Sequence, residues 1–301
     1  MDEQTPGPDL VVLGAARSGT SLLAAHLAAH PDIDASAVKE PNYFSRHFDR
    51  GPDWYEGYFG PRAPGRLRLD ASVSYTYPQF PEAIPRLAEA APSARAVYVV
   101  RDPIPRAVSH YQYYRHYFAH ERAADFGSAL RQDSYYADVS DYRRWLTALA
   151  AAFPAEQVLV VPFAAVTRSS HAVAEVVCSI AGLGPPPAAE KQAAEHRNNV
   201  VRFRSDRVRR ATRTLRHSRF YPMVRRSLGA STLRRIRSAV TEVPETPSFD
   251  EALASCDPDQ RAALDALSAD ATAAVQDWLA AQDERLGLTW SAEWPQGAST
   301  S

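Results

Sequence analysis

The chain has 301 residues, 45% of them apolar and 23% charged, with a formal net charge of −1 at pH 7. That length and apolar share can bury one large core, which excludes a disordered protein. No run of about 18 apolar residues occurs, so no membrane span is expected. The acidic opening, Met1-Asp2-Glu3-Gln4-Thr5-Pro6, has no apolar centre, and no signal peptide is read in it. The two cysteines, Cys178 and Cys256, cannot form a disulfide framework, and Cys178 sits in an apolar helical stretch as a core residue. A reducing, cytoplasmic setting is the expectation.

In chain order, Leu10-Val11-Val12-Leu13 is short and apolar enough for a buried strand. A loop with Gly14 and Gly19 at its ends follows, and then Leu22, Leu23 and Leu27 at helical spacing. Strand, glycine loop and helix make a phosphate cradle: helix-start N–H groups and the helix dipole favour an anion. The two glycines have Walker A spacing, but Thr20-Ser21 replaces the Lys-Ser/Thr pair, and the cation is Arg17, inside the loop. Ile33-Asp34-Ala35 reads as a short strand or loop, and Pro41 keeps Glu40 extended. An aromatic, proline-interrupted stretch runs from Tyr43 and Phe44 through Phe48, Trp54, Tyr55, Tyr58 and Phe59.

Arg66 to Asp70 alternates as a strand, and Pro81 to Ala90 reads as a short helix. Ala94 to Val100 is the clearest central strand. After it Asp102 caps a helix that starts at Pro103 and runs to Tyr117. Asp141 to Phe153 is a helix with Tyr142, Trp145, Leu146 and Leu149 on one face. Val158 to Pro162 is a further buried strand, and Ser170 to Ala181 a helix stopped by Gly182 and Gly184. Alternating strands and helices predict an α/β fold: a P-loop-type central parallel sheet flanked by helices. Ligands then bind beyond the strand C-termini, where the loops after Leu13, Leu69 and Val100 should meet.

The C-terminal part changes character. Lys39 and Lys191 are the only lysines among 34 Lys+Arg, and fourteen arginines stand between Arg197 and Arg237 against one acid, Asp206. Such a run reads as a solvated helical face, a nucleic-acid surface, or a cover for a bound anion. Asp257 to Leu286 reads as one or two amphipathic helices, followed by Leu288, Trp290 and Trp294.

Three cationic elements are expected to converge: Arg17-Ser18-Gly19-Thr20-Ser21, the pair Arg101 and Ser109, and the region of Arg202 and Arg204. Together they suit a nucleotide with phosphates at two ends. At these residues the sequence resembles the sulfotransferases that use 3′-phosphoadenosine 5′-phosphosulfate (PAPS), closest to the heparan-sulfate-type and bacterial sulfotransferase-domain group. The resemblance rests on Gly14-Ala-Ala-Arg17-Ser18-Gly19-Thr20-Ser21, Lys39-Glu40-Pro41-Asn42-Tyr43-Phe44, Arg101-Asp102-Pro103 and Arg106-Ala107-Val108-Ser109. It extends through Trp145, Phe153-Pro154 and Val158-Leu159-Val160 to Leu288 and Trp290. Two positions depart from the family pattern. The loop cation is Arg17, and His196 to Ser205 stands where a nucleotide-clamping loop is expected.

The resemblance implies that the loop holds the 5′-phosphosulfate and that Arg101 with Ser109 holds the 3′-phosphate. It implies Glu40 as the general base and Lys39 as the cation that neutralises the leaving phosphate or tunes Glu40. His110 is a second candidate base, since some sulfotransferases of small phenols use a histidine nearby. From the residues alone, Glu40 also fits an exposed carboxylate, His110 a core or helix-surface histidine, and Asp70 a substrate acid or a cap. PAPS is the implied co-substrate, a small molecule or carbohydrate the acceptor, and no metal or nucleic acid is expected. One domain over residues 1–301 is expected, with 1–8 and 295–301 flexible and 197–240 covering the nucleotide. The rival functions are a P-loop small-molecule kinase and a nucleic-acid-binding module built on the arginine run.

Overall fold

The computed structural model describes residues 7–118, 120–187, 202–203, 205, 239, 241–242 and 246–295. The chain opens with β1 (Leu10–Gly14), α1 (Thr20–Leu27), β2 (Ile33–Ala35), α2 (Tyr43–Arg46), α3 (Pro52–Glu56) and β3 (Leu67–Asp70). It continues with α4 (Ala83–Ala90), β4 (Arg95–Val100), α5 (Pro103–Tyr113), α6 (Phe126–Gln132), α7 (Tyr135–Asp138), α8 (Tyr142–Ala152) and β5 (Val158–Pro162). Then come α9 (Phe163–Ile180), the short β6 (Arg202–Phe203) and β7 (Thr241–Glu242), α10 (Phe249–Ala254) and α11 (Pro258–Leu286).

The five long-range strands form one parallel sheet in the order β2-β3-β1-β4-β5. Leu10 lies beside Leu69 on one side and Arg95 on the other, and Val97 lies beside Leu159. Every residue of β1 is buried, as a strand covered on both faces requires. Ile33–Ala35, read as strand or loop, is the edge strand beside β3. Right-handed crossovers place α1 on one face, and α4 and α8 on the other, because the chain leaves β1 and β4 in opposite directions. Contacts follow that split: α1 packs on α9, while α8 packs against α4 and α11. The adjacent ends of β1 and β4 are therefore the point where strand order reverses, the place where such sheets bind ligands.

Two elements differ from their expected bounds for visible reasons, and the C-terminal stretch keeps its bounds. Helix α9 begins at Phe163 and breaks at Ser169 (φ −156°, ψ 89°). Ser169 Oγ accepts the Ala172 N–H at 3.1 Å and so restarts the helix at the predicted Ser170. The helix at Pro103 ends at Tyr113, and a π-helical turn carries the chain on to Phe118. The C-terminal stretch is one helix of 29 residues, opened by an Asp257–Gln260 capping box and closed by Gly287 at φ +66°.

At the β5 edge a side chain takes the place of a neighbouring strand. Gln282 of α11 accepts the Val160 N–H at 2.8 Å and donates to the Val160 carbonyl at 2.9 Å. Both cysteines are buried and free. Among the described residues, no helix is long and apolar enough to cross a membrane.

Candidate active site

The loop after β1 is built to bring backbone close to a ligand. Gly19 stands at φ +83° before α1, and a Cβ there would come within 3.2 Å of the Phe163 ring and of Val166. Only glycine tolerates both the left-handed backbone and that crowding. Arg17 also adopts a positive φ of 68°. The Ala15 N–H donates to the Val99 carbonyl at 2.7 Å, which ties the loop to β4. The first N–H groups of α1 have no preceding turn to bond. Ser18 Oγ is fully buried in the loop and has no hydrogen-bond partner among the described residues.

Cations gather on this loop. Arg17 Nε donates to Ser109 Oγ at 3.2 Å, and its guanidinium lies 4.4 Å over the Tyr113 ring. Arg101 Nη1 donates to the Arg17 carbonyl at 3.1 Å, with its guanidinium 4.8 Å over Phe163. The Arg101 backbone is held in turn: Tyr142 OH accepts its N–H at 3.1 Å and donates to its carbonyl at 2.6 Å. Asp102 caps α5 by accepting the Ile104 N–H, as expected. Thus Arg17, Arg101 and Ser109, which lie up to 92 residues apart, meet at the end of β1 and β4.

Arg106 lies beneath them, fully buried. Its partners are all neutral: Ser140 Oγ at 2.6 Å, the Ala16 carbonyl at 3.3 Å, His110 Nδ1 at 3.1 Å and the Tyr136 carbonyl. Burial pulls the guanidinium of Arg17 below its ordinary value, and the like charges of Arg101 and Arg106 add to this. An arginine does not lose its proton in proteins, so the cost is borne as a site that favours a bound anion.

His110 is buried in a ring of Tyr77, Tyr114, Tyr135 and Tyr136. Burial, then the charge of Arg106 and of Arg17, hold its value well below the ordinary one. Since Arg106 can only donate, Nδ1 of the neutral ring accepts and Nε2 carries the proton. That Nε2 is buried and has no partner among the described residues.

Lys39 and Glu40 stand in an irregular segment between β2 and α2. Lys39 Nζ pairs with Glu40 Oε1 at 2.6 Å, both about a third exposed (32% and 37%). The Glu40 charge adds to the burial that raises the Tyr77 hydroxyl. It also acts on Asp70, a carboxylate at the end of β3 with no solvent exposure. Ser72 donates to Asp70 at 2.6 Å, Tyr75 at 2.7 Å and Tyr55 at 2.9 Å.

Burial pushes the Asp70 carboxyl from 3.8 up to about 6, against the pull of those three hydroxyls. With a folded value above the unfolded one, the folded protein binds more protons between the two. Stability should therefore fall as pH rises from the ordinary carboxylate value to about 6, by up to about 3 kcal/mol. Asp70→Asn should flatten that slope in chemical denaturation curves taken across the window. An unchanged slope would assign the titration to another group.

In the aromatic stretch Tyr43, Phe44 and Tyr55 are core, whereas Trp54 and Tyr58 are half-buried; elsewhere near the site Tyr75 is core and Tyr113 and Tyr114 are half-buried. Arg202 lies in β6, but its side chain is outside the described residues, as are Arg204 and nearly all of 197–240. Asp70, read from the sequence as a substrate acid or a cap, is fully buried, while Arg106 and Tyr142 escaped the sequence reading as site residues. Arg106 stood inside a quoted motif, and Tyr142 showed only as a member of an apolar helix face. Among the described residues, no cluster of three or more His, Cys, Asp or Glu could hold a metal ion.

Residues 43–187 match the family described as the sulfotransferase family. Over 104 residues, 35% of this chain, it is 35% identical to mouse heparan sulfate glucosamine 3-O-sulfotransferase 6 and covers 30% of that protein. Over the same share it is 32% identical to human heparan sulfate glucosamine 3-O-sulfotransferase 3B1 and covers 26% of it. The match thus spans less than a third of these relatives' length. A sulfotransferase structure from Alicyclobacillus acidocaldarius superposes with a TM-score of 0.52 at 26% identity, over 62% of this chain and 88% of that one. These findings support a sulfotransferase family for this chain.

Proposed function

We propose that this chain transfers a sulfuryl group from PAPS to an acceptor hydroxyl of a small molecule or glycan. The observation that carries this reading is the meeting of Arg17, Arg101 and Ser109 at the reversal point of the sheet, above a buried Arg106 with only neutral partners. The orphaned Ser18 Oγ and the crowded Gly19 fit a ligand phosphate drawn tight against the loop.

Bound there, the donor supplies an activated sulfuryl group with a phosphate as its leaving group. Arg17, Ser18, Gly19, Thr20 and Ser21 would hold the 5′-phosphosulfate, and Arg101 with Ser109 the 3′-phosphate. These groups are fixed by Tyr142, by the tie of Ala15 to β4 and by Arg106, so they stabilise developing negative charge without reorganising. Glu40 takes the proton from the acceptor hydroxyl, and Lys39 neutralises charge beside it. His110 is the weaker base candidate: its accessible tautomer offers an N–H rather than a lone pair at Nε2. The relatives named for heparan sulfate support a glycan hydroxyl as one acceptor class.

The test of class is a thermal-shift comparison of adenosine 3′,5′-bisphosphate, without metal, against ATP with magnesium. The bisphosphate should raise stability by about 2–4 kcal/mol at about 100–1,000 times its dissociation constant. A shift with ATP–magnesium alone would replace this reading by the kinase one. Product mass spectrometry with heparan sulfate and with a small phenol then separates the acceptor classes.

A further inference from the structure

The segment carrying Glu40 belongs to no helix or strand, and Pro41 after it has no N–H to bond. The next residue, Asn42, supplies the anchorage. It stands at φ +54°, a left-handed conformation that asparagine tolerates better than most residues. Its side-chain Nδ2 donates to the Glu40 carbonyl at 2.8 Å. Ser74 Oγ donates to Asn42 Oδ1 at 2.5 Å, which sets the amide so that its N–H end faces Glu40. The Asn42 backbone N–H donates to Ser72 Oγ at 3.0 Å, and Ser72 donates onward to the buried Asp70. Ser45 closes the group: its single hydroxyl proton is shared between Ser74 Oγ at 2.6 Å and the Asn42 carbonyl at 3.2 Å.

We propose that Asn42 is a positioning residue for Glu40: anchored through Ser72 and Ser74 on the rigid end of β3, it holds the Glu40 peptide and so aims the carboxylate. This rests on the reading of Glu40 as the base. Pro41 holds the Glu40 backbone extended, and among the described residues the Asn42 amide supplies the one hydrogen bond to its main chain; a displacement of about 1 Å at a reacting group costs on the order of 10²-fold in rate. Asn42 acts through Glu40 and touches no reacting atom.

The test uses the full chain and measures release of adenosine 3′,5′-bisphosphate from PAPS, with heparan sulfate as acceptor probe and with water alone. Asn42→Asp keeps the tolerance of positive φ and the acceptor for Ser74 but removes the N–H that Glu40 receives. Its kcat should fall about tenfold or more, with KM for PAPS and bisphosphate affinity within about twofold of the parent. Ser74→Ala, which unlocks the amide while leaving Asn42 in place, should show the same pattern at smaller size. In a Glu40→Gln background, Asn42→Asp should cost nothing further, because its route of action is already cut. An equal loss in both backgrounds would overturn the proposal in favour of a general structural role. Unchanged kcat in both single variants would overturn it too. Failure of the parent reading shows separately, as Glu40→Gln turning over at the full rate.

Discussion

Glu40→Gln is expected to lower turnover by about 10²–10⁴-fold while leaving bisphosphate affinity and melting temperature in place. An amide keeps the shape of the carboxylate but cannot take a proton. The fold should tolerate the change, because the side chain is about a third exposed (37%) and its ion pair is with its own neighbour Lys39. Exposed pairs of this kind contribute about 0–1 kcal/mol. The acid limb of the rate–pH profile should flatten, since that limb reports protonation of the base. Lys39→Ala is the control with a different signature: it removes a cation near the transferring group, so nucleotide affinity and rate should both fall. If Glu40→Gln turns over normally while His110→Ala is inactive, the base is His110. In that event the ring must give up its bond from Arg106 or present Nε2 deprotonated, which the present arrangement opposes.

For Arg101→Ala the expected result is a loss of nucleotide affinity without a loss of fold. A charged hydrogen bond removed from a partly dry site costs about 1.5–3 kcal/mol, or about 10–100-fold in dissociation constant. Among the described residues the side chain bonds only the Arg17 carbonyl and lies on Phe163, while its backbone stays clamped by Tyr142 after the substitution. Removing one of three neighbouring like charges also relieves Arg17 and Arg106, so the ligand-free melting temperature should hold. Titration calorimetry with the bisphosphate beside ligand-free melting curves decides it. Unchanged affinity would show that Arg101 does not face the nucleotide.

The central strands, the glycine loop and the Asp102 cap were readable because each is a local pattern: an apolar run, a spacing, a residue type before proline. The family motifs named Arg17, Arg101 and Ser109, and the sheet order explains why they meet, since β1 and β4 are neighbours. Sheet order is what the linear pattern does not carry. Asp70 reaches Asn42 only because β3 sits between β1 and β2, and Tyr142 reaches Arg101 only because α8 folds back over β4. Arg106 was hidden for another reason: a buried arginine without a carboxylate violates the ordinary rule for buried charge. Such a violation marks function only once its neutral partners are seen.

Gln282 has a consequence in time as well as in space. Its amide completes the hydrogen bonding of Val160 across 122 residues of sequence. During synthesis at about 5–20 residues per second, the β5 rim would wait about 6–24 s for that amide to emerge. Through that interval a nascent chain displays an unpaired, apolar strand border, the kind of surface that recruits other strands. A shortened chain lacking α11 would display it permanently, so aggregation of truncated or stalled products is a failure this helix guards against.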